Sequence, residues 1–479
     1  MSRWLSRFIS VFRNPVKKFI FYDTETTGLK ELNYVQVIQI GSLLTDDNFR
    51  DLDSFDLICA PLPWTLVTPK ALLVNKKAEI FDHPQTHYQL IKRVHETWSD
   101  WSSPDGSVFI TYNGMRFDEE VMRRQFYWNL YDPFLTNTKG NSRLDIYTKM
   151  SVIACFYHNV YALPEIDGQL SLKLEHLAQK LGLDTDNAHD AVADCIFLKE
   201  VMFAIKTIAP NFYEEMMQTT AKTDLLQHLY DDELHFMCNY IPRNKTTKYY
   251  PFCLVNNGLN ESNNQFIFDL TNDPQELFNF TFNDLNDLLN SRNSPIKKMN
   301  IARTAASISS KTLLNDNIKL ENVELYQERA NALKQNLALQ EKILEIMVDQ
   351  TRSYPVGDYP EDQIYSGGFA SGIDKDKMNK FHRADDFDEK NKILNSFEDE
   401  RYKDFATRIC GQIFPEQISS DQLLHCKNIV NDRFNNQGPW PDAQVYIDEG
   451  NELLSKNLDK NEKKLVNLAI NSIKSSQSF

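Results

Sequence analysis

The first third of the chain alternates short apolar runs with stretches of helical spacing. Runs rich in β-branched and aromatic residues predict adjacent strands at 18–24, 35–45 and 54–60 and a further strand at 108–112. Helical patterns begin near Asp118 and cover 171–181 and 189–204. In the helical pattern at 171–181, the buried apolar face is expected to comprise Leu172, Leu174, Leu177 and Leu181. Strands that alternate with helices indicate an α/β domain.

The pattern changes after about residue 206. Strand-like runs at 249–255, 265–270 and 297–301 surround an Asn-rich turn, and one long helical pattern follows over 319–352. Pro355 and Pro360 then mark a linker, and the rest is polar, acidic and helical in period. We therefore predict a basic leader at 1–17, a catalytic α/β domain at 18–206, a small β-containing domain at 207–352 and a helical domain at 353–479.

Composition is that of a globular protein, with 42% hydrophobic and 25% charged residues in 479. No apolar run is long enough to span a bilayer, and seven cysteines without a CxxC pair indicate a reducing, cytoplasmic location and argue against structural zinc. The first 19 residues carry five cations, from Arg3 to Lys18, and no acid, so both a targeting or membrane-surface helix and a plain leader remain open. The net charge of −15 does not exclude a nucleic-acid enzyme, because clustered metal-binding carboxylates are themselves acidic.

Four carboxylates and one histidine stand where these elements begin or end. Asp23 and Glu25 lie in DTETTG on the first strand, two apart and hence on one face. Asp118 opens a helix in YNGMRFDEEV, and His189 and Asp194 open another in NAHDAVADC. Each motif alone is typical of a solvated strand edge, a helix cap or a polar helix face. Their combination and order predict one catalytic site.

Phosphodiester hydrolysis uses this assortment of groups. Two divalent cations can activate a water and stabilise the leaving oxygen, and Mg²⁺, or Mn²⁺ in its place, prefers carboxylate oxygens. A neutral histidine can accept the proton of the attacking water near physiological pH. The residues therefore predict a two-metal phosphodiesterase.

The three motifs FYDTETTG, YNGMRFDEEV and HDAVAD resemble the sequence blocks of the DEDDh exonucleases, which share a ribonuclease H-like fold. The longer stretches TYNGMRFDEEVMRRQFYWNLYDPF, NSRLDIY, SLKLEHLAQKLGL and DQIYSGGF resemble the bacterial exodeoxyribonuclease I family. That resemblance implies an exonuclease domain with a mixed sheet, an SH3-like β-containing domain and a C-terminal helical domain.

The resemblance also implies a role for individual residues. Asp23, Glu25 and Asp194 would be metal ligands, Asp118 would complete the acidic cluster, and His189 would be the general base. Glu25, Lys173 and Arg123 match substrate-contacting positions. Two departures stand out: Lys173 replaces a usual arginine and so loses a bidentate fork, and Thr27 replaces an aromatic ring that could stack on a base.

The implied activity is 3′→5′ degradation of single-stranded DNA to 5′-mononucleotides, in DNA repair and recombination. The implied partner is the acidic tail of single-stranded-DNA-binding protein, with the enzyme itself a monomer. An RNA exonuclease would use the same five residues, and a catalytically idle strand-binding adaptor would keep the fold. Base stacking on one or two nearby rings is a further hypothesis; the candidates are Phe117, Phe126, Tyr127, Trp128 and Tyr131.

Overall fold

A computed structural model describes residues 17–102, 104–186, 190–255, 262–349 and 355–477, so the leader hypotheses for 1–16 lie outside the described residues. The first unit is built on a five-stranded mixed sheet in the order β3-β2-β1-β4-β5. Its strands are β1 (Lys18–Thr26), β2 (Val37–Thr45), β3 (Asp51–Ile58), β4 (Ser107–Thr111) and β5 (Ser142–Asp145). Strand β1 runs antiparallel to β2 and parallel to β4. The predicted α/β class, the mixed sheet and the three adjacent first strands are confirmed.

Helices cover both faces of this sheet. They are α1 (Pro69–Asn75), α2 (His87–Ser102), α3 (Asp118–Trp128), α4 (Ile146–Val152), α5 (Leu174–Lys180) and α6 (Ala191–Ile208), with a small hairpin of β6 (Glu165–Ile166) and β7 (Gln169–Leu170). Alternate residues of β1 face opposite cores: Tyr22 packs with Trp98 of α2, whereas Phe21 joins the cluster that contains Val201 of α6. The sequence pattern had not predicted α2 or the four-residue β5. The expected burial of Leu181 is wrong, because α5 ends at Lys180 and leaves that side chain exposed.

The second unit contains an antiparallel sheet in the order β11-β10-β9-β8-β12. Its strands are β8 (His235–Ile241), β9 (Thr246–Leu254), β10 (Asn264–Asp269), β11 (Ile296–Asn300) and β12 (Ser307–Ser309). Its helices are α7 (Pro210–Gln218), α8 (Lys222–Asp231), α9 (Phe282–Asn290), α10 (Ser310–Asn315), α11 (Val323–Gln335) and α12 (Leu337–Asp349). The three predicted strands of this unit are confirmed within a few residues.

The single long helix predicted over 319–352 is wrong, because the segment forms two helices with a break at Asn336. Asn336 has non-helical dihedral angles (φ −90°, ψ 79°), and its side-chain oxygen accepts a hydrogen bond from the backbone N–H of Leu339. The side chain of Gln340 donates to the carbonyl oxygens of Leu333 and Lys334. Side chains thus satisfy main-chain groups on both sides of the break, which a hydrophobic period cannot reveal.

The C-terminal unit is helical, as predicted. It comprises α13 (Gly372–Arg383), α14 (Phe387–Leu394), α15 (Glu400–Ile413), α16 (Ser420–Asn435), α17 (Ala443–Leu454) and α18 (Lys460–Gln477). Its last two helices return to pack against α1, where Trp64 of the first unit shares a core with Val466 and Ile470. Among the described helices none is both long and apolar enough to cross a membrane.

Candidate active site

Asp23 and Glu25 project from the same face of β1. Both are partly buried, whereas Tyr22 and Thr24, on the alternate positions, are buried. The period of two predicted from DTETTG is therefore present in the structure. The buried Thr27 hydroxyl accepts a hydrogen bond from the backbone N–H of Gln36 at 3.0 Å, so this departure from the family pattern has a local structural role.

Asp118 is the first residue of α3, as predicted. The Thr24 hydroxyl donates a hydrogen bond to its carboxylate and so fixes it beside β1. Asp145, at the end of β5, accepts hydrogen bonds from the backbone N–H groups of Asn113 at 2.8 Å and Met115 at 3.3 Å. Asp145 therefore holds the loop that delivers Asp118 to the sheet. The motif NSRLDIY contained this residue, but its sequence carried no sign of the role.

Asp194 lies in the first turn of α6, which packs against β1 and β2. The close approach depends on Gly41 of β2, where an added Cβ would stand 2.4 Å from the backbone carbon of Ala191. Any side chain at this position would therefore push the start of α6 away from the sheet.

The pKa values show how closely the four acids are placed. Burial, followed by the charges of Asp118, Asp194 and Glu25, raises the pKa of Asp23 well above its ordinary range. Burial, followed by the charges of Asp194 and Asp118, raises the pKa of Glu25 to about 8. Burial likewise raises the pKa of Asp118 to about 6, against the opposing hydrogen bond from Thr24. Carboxylates from β1, α3 and α6 thus lie close enough to repel one another.

Two residues beside this cluster were missed in the sequence. Lys77 lies 3.2 Å from the carboxylate of Asp190, and its charge acts to lower the pKa of Glu25 against the burial and acids that raise it. Asp190 caps α6 through the backbone N–H of Ala193, and although burial opposes it, the Lys77 ammonium lowers the pKa of Asp190. Asp190 stood within the recognised motif HDAVAD, whereas Lys77 has no motif of its own.

The remaining predicted residues have different outcomes. His189 lies outside the described residues, next to Asp190. Lys173 is exposed at the N-terminus of α5. Arg123 is partly buried and its guanidinium lies 3.0 Å from the Glu119 carboxylate, with the ring of Phe134 beneath it.

Arg123 lines a groove of about 560 Å³ between the first and second units. Arg143, Lys222 and Arg303 also line it, as do the rings of Phe134 and Tyr365. Arg143 bridges the two units, because it lies 2.6 Å from Glu119 and donates to the carbonyl oxygen of Ala302 at 2.9 Å. The groove therefore combines cations with aromatic faces.

The rings proposed from the sequence for base stacking are mostly core residues. Phe126, Tyr127 and Trp128 are buried. Phe117 packs against the first-unit core, and Tyr131 stacks on His382 of the C-terminal unit with ring centroids 3.8 Å apart. Instead, the rings of Phe134 and Tyr365 line the groove. Burial in the core decides which rings are accessible, and sequence composition does not show it.

We expect Gly41→Ala to lower nuclease activity by about 10²-fold, because displacing a catalytic group by about 1 Å has an effect of that size. The added methyl would move α6, and Asp194 with it, away from Asp23. Initial rates on a labelled substrate measure the effect. Gly372→Ala is the matched control, since its added Cβ meets open space. Wild-type activity in Gly41→Ala would show that the close approach does not position Asp194.

Comparison with known proteins agrees with this architecture. Residues 20–202 match an exonuclease family model, and residues 358–470 match the exonuclease I C-terminal domain. Exodeoxyribonuclease I of Escherichia coli is 28% identical over 213 residues, which span 43% of this chain and 44% of that protein. The aligned stretch is thus less than half the length of that relative.

Solved structures share the fold over nearly the whole chain. An exonuclease I from Methylocaldum szegediense has a TM-score of 0.79 at 20% identity, covering 96% of this chain and 100% of that one. A zinc-bound exonuclease I of Escherichia coli in complex with single-stranded DNA has a TM-score of 0.76 at 21% identity, covering 96% and 99%. The chain therefore carries an exonuclease domain and an exonuclease I C-terminal domain, and in sequence it is similar to exodeoxyribonuclease I.

Proposed function

We propose that this protein is a metal-dependent 3′→5′ exonuclease that releases 5′-mononucleotides from single-stranded DNA. The observation that carries the proposal is the convergence of Asp23, Glu25, Asp118 and Asp194 from three separate elements. Like charges held this close in a partly buried cleft are unfavourable unless cations neutralise them. Members of the same family that bind single-stranded DNA have the same fold.

The donor set fits hard divalent cations. Carboxylate oxygens are the ligands that Mg²⁺ and Mn²⁺ prefer, and burial together with neighbouring negative charges raises the pKa of Asp23, an unfavourable environment that a bound cation would offset. Asp23, Glu25 and Asp194 would hold two ions, with Asp118 completing the cluster. When bound, such ions supply an activated water and stabilise charge on the leaving oxygen.

The protein's own residues would do the remaining work. His189 would accept the proton of the attacking water, as the motif HDAVAD predicts. Thr24 and Asp145 keep Asp118 in place, and Lys77 limits the negative charge beside Glu25. These groups pre-position the acids, so that little reorganisation is needed during the reaction.

The groove supports a single-stranded substrate. Its cations can follow a phosphate backbone, and its rings can stack on bases without sequence preference. Arg123 and Lys173 are the proposed strand contacts. The second unit, which we propose is SH3-like, and the C-terminal unit form walls beside the first unit that a single-domain RNA exonuclease would lack.

The test uses single-stranded DNA, RNA of equal sequence and a DNA duplex, each labelled at the 3′ or the 5′ end. We expect mononucleotide release from the 3′ end of single-stranded DNA in Mg²⁺, none in EDTA, and loss of activity in His189→Ala. The matched control is Asp100→Asn, a change of an exposed acid on α2. Faster degradation of RNA would favour the RNA exonuclease, and binding without cleavage would favour the idle adaptor.

The proposed partner, the acidic tail of single-stranded-DNA-binding protein, follows from the family resemblance. A pull-down of the purified monomer with the tail peptide tests it. Retention at moderate salt is expected, and no retention would remove this partner. Action in the cytoplasm, in repair and recombination, is part of the same proposal.

A further inference from the structure

Glu215, His228 and His235 form a compact group remote in sequence from the nuclease acids. They come from α7, α8 and β8, all in the second unit. One side-chain ligand atom from each lies within 4.8 Å of the other two. His228 Nε2 is 3.1 Å from Glu215 Oε1, and the two imidazole rings have centroids 5.3 Å apart.

The hydrogen bonds of His235 leave one nitrogen available for a ligand. Its Nε2 lies 2.9 Å from the carbonyl oxygen of Asp232, which can only accept, so Nε2 carries the hydrogen and Nδ1 a lone pair. His235 is fully buried, and within the described part of the chain Nδ1 has no hydrogen-bond partner. A buried lone pair without a partner is unfavourable, and a metal ion is one group that satisfies it.

The surroundings also hold the other two ligands in place. Both nitrogens of His228 face carboxylates, Nε2 facing Glu215 at 3.1 Å and Nδ1 facing Asp232 at 3.6 Å. A metal ion on Nε2 would replace the hydrogen that faces Glu215, and Asp232 would keep a hydrogen on Nδ1. Glu215 accepts hydrogen bonds from the backbone N–H of Ser309 at 2.9 Å and from its hydroxyl at 2.8 Å. Carboxylates and backbone carbonyls that orient metal-bound histidines are a usual feature of metal centres.

The local charges leave room for a cation. Glu215 and Asp232 contribute two negative charges, and the nearby cation Lys149 contributes one positive charge. Lys149 donates to the carbonyl oxygen of Ala305 at 2.8 Å. A protonated His228 paired with Glu215 would also balance the charge, but it would leave Nδ1 of His235 unsatisfied.

We infer that Glu215, His228 and His235 form a second divalent-metal site, distinct from the nuclease acids, that takes zinc. Two imidazole nitrogens and one carboxylate are a usual zinc set, whereas Mg²⁺ prefers oxygen ligands alone. An ion there would join α7 and α8 to β8 and, through Ser309, to β12, and so brace the second unit. The cysteine pattern could not indicate such a site, because no cysteine takes part.

The nuclease acids also bind divalent cations, so the test uses the full chain carrying Asp23→Asn and Asp194→Asn. This protein is stripped with EDTA, given Zn²⁺ in slight excess, passed through a desalting column and assayed for metal. We expect about one zinc per chain, and loss of it in His235→Gln and in His228→Gln. The matched control is His425→Gln, a change of an exposed histidine on α16.

Two further measurements separate metal binding from misfolding. The circular dichroism of each metal-free variant checks the fold, and the partly exposed His228 makes its variant the safer of the two. Co²⁺ in place of Zn²⁺ should give the visible absorption of a tetrahedral site in the parent and not in folded His228→Gln. Equal zinc in the parent and in folded His228→Gln, or no retained zinc in the parent, would overturn the inference. Neither outcome bears on the nuclease proposal.

Discussion

Asp23→Asn should reduce nuclease activity by about 10³-fold, the loss expected when one strong electrostatic stabiliser of the transition state is removed. The same change should raise the melting temperature of the metal-free protein. Four other carboxylates lie close to Asp23, so a neutral amide removes repulsion from the folded state. Opposite effects on activity and stability distinguish a functional carboxylate from a structural one.

Single-turnover cleavage and thermal melting in EDTA measure the two effects. Mg²⁺ should raise the melting temperature of the wild type more than that of Asp23→Asn, because a ligand stabilises the state that binds it. Asp100→Asn should match the wild type in both assays. A variant that kept its activity, or that melted at a lower temperature in EDTA, would contradict the role proposed for Asp23.

Glu361→Gln should lower the free energy of unfolding by roughly 3 to 5 kcal/mol, the usual cost of breaking a buried ion pair from one side. Glu361 is buried at the start of the C-terminal unit and pairs with Arg408 and, at 2.8 Å, with Arg433. Arg433 in turn lies over the ring of Tyr34, 4.2 Å from its centroid. The amide would leave two buried guanidinium groups without their shared anion.

The effect should depend on pH. Although burial opposes it, the charges of Arg408 and Arg433 lower the pKa of Glu361 from 4.5 to about 2. A carboxyl group whose pKa is lower in the folded than in the unfolded state stabilises the fold fully at pH values above its unfolded pKa. That stabilisation is lost as the pH falls through its folded pKa. The difference between wild type and Glu361→Gln should therefore be constant above about pH 4.5 and shrink toward pH 2.

Denaturant unfolding at several pH values measures this difference. Glu416→Gln, a change of an exposed acid after α15, is the matched control and should have no effect. A difference that did not fall in acid would mean that the carboxylate charge contributes nothing to the pairing.

The sequence by itself determined the first four strands of the first unit and the placement of its acids on the elements. Short apolar runs separated by polar turns predict strands, and the period of two put Asp23 and Glu25 on one face, because both are local properties of the chain. The ordered motifs also predicted Asp118 at the start of a helix. The break at Asn336 was missed, since side-chain hydrogen bonds to the backbone create it without changing the hydrophobic period.

Only the tertiary structure determines which residues lie close to the acids of the site. Lys77 contacts Asp190, which lies 113 positions later in the sequence. Gly41 has no side chain, so the start of α6 can pack closely against β2. Glu215, His228 and His235 converge because two helices and a strand of the second unit pack together. These contacts depend on how the helices and strands pack. The residues that they bring together are not regularly spaced in the chain, so no periodic sequence pattern predicts them.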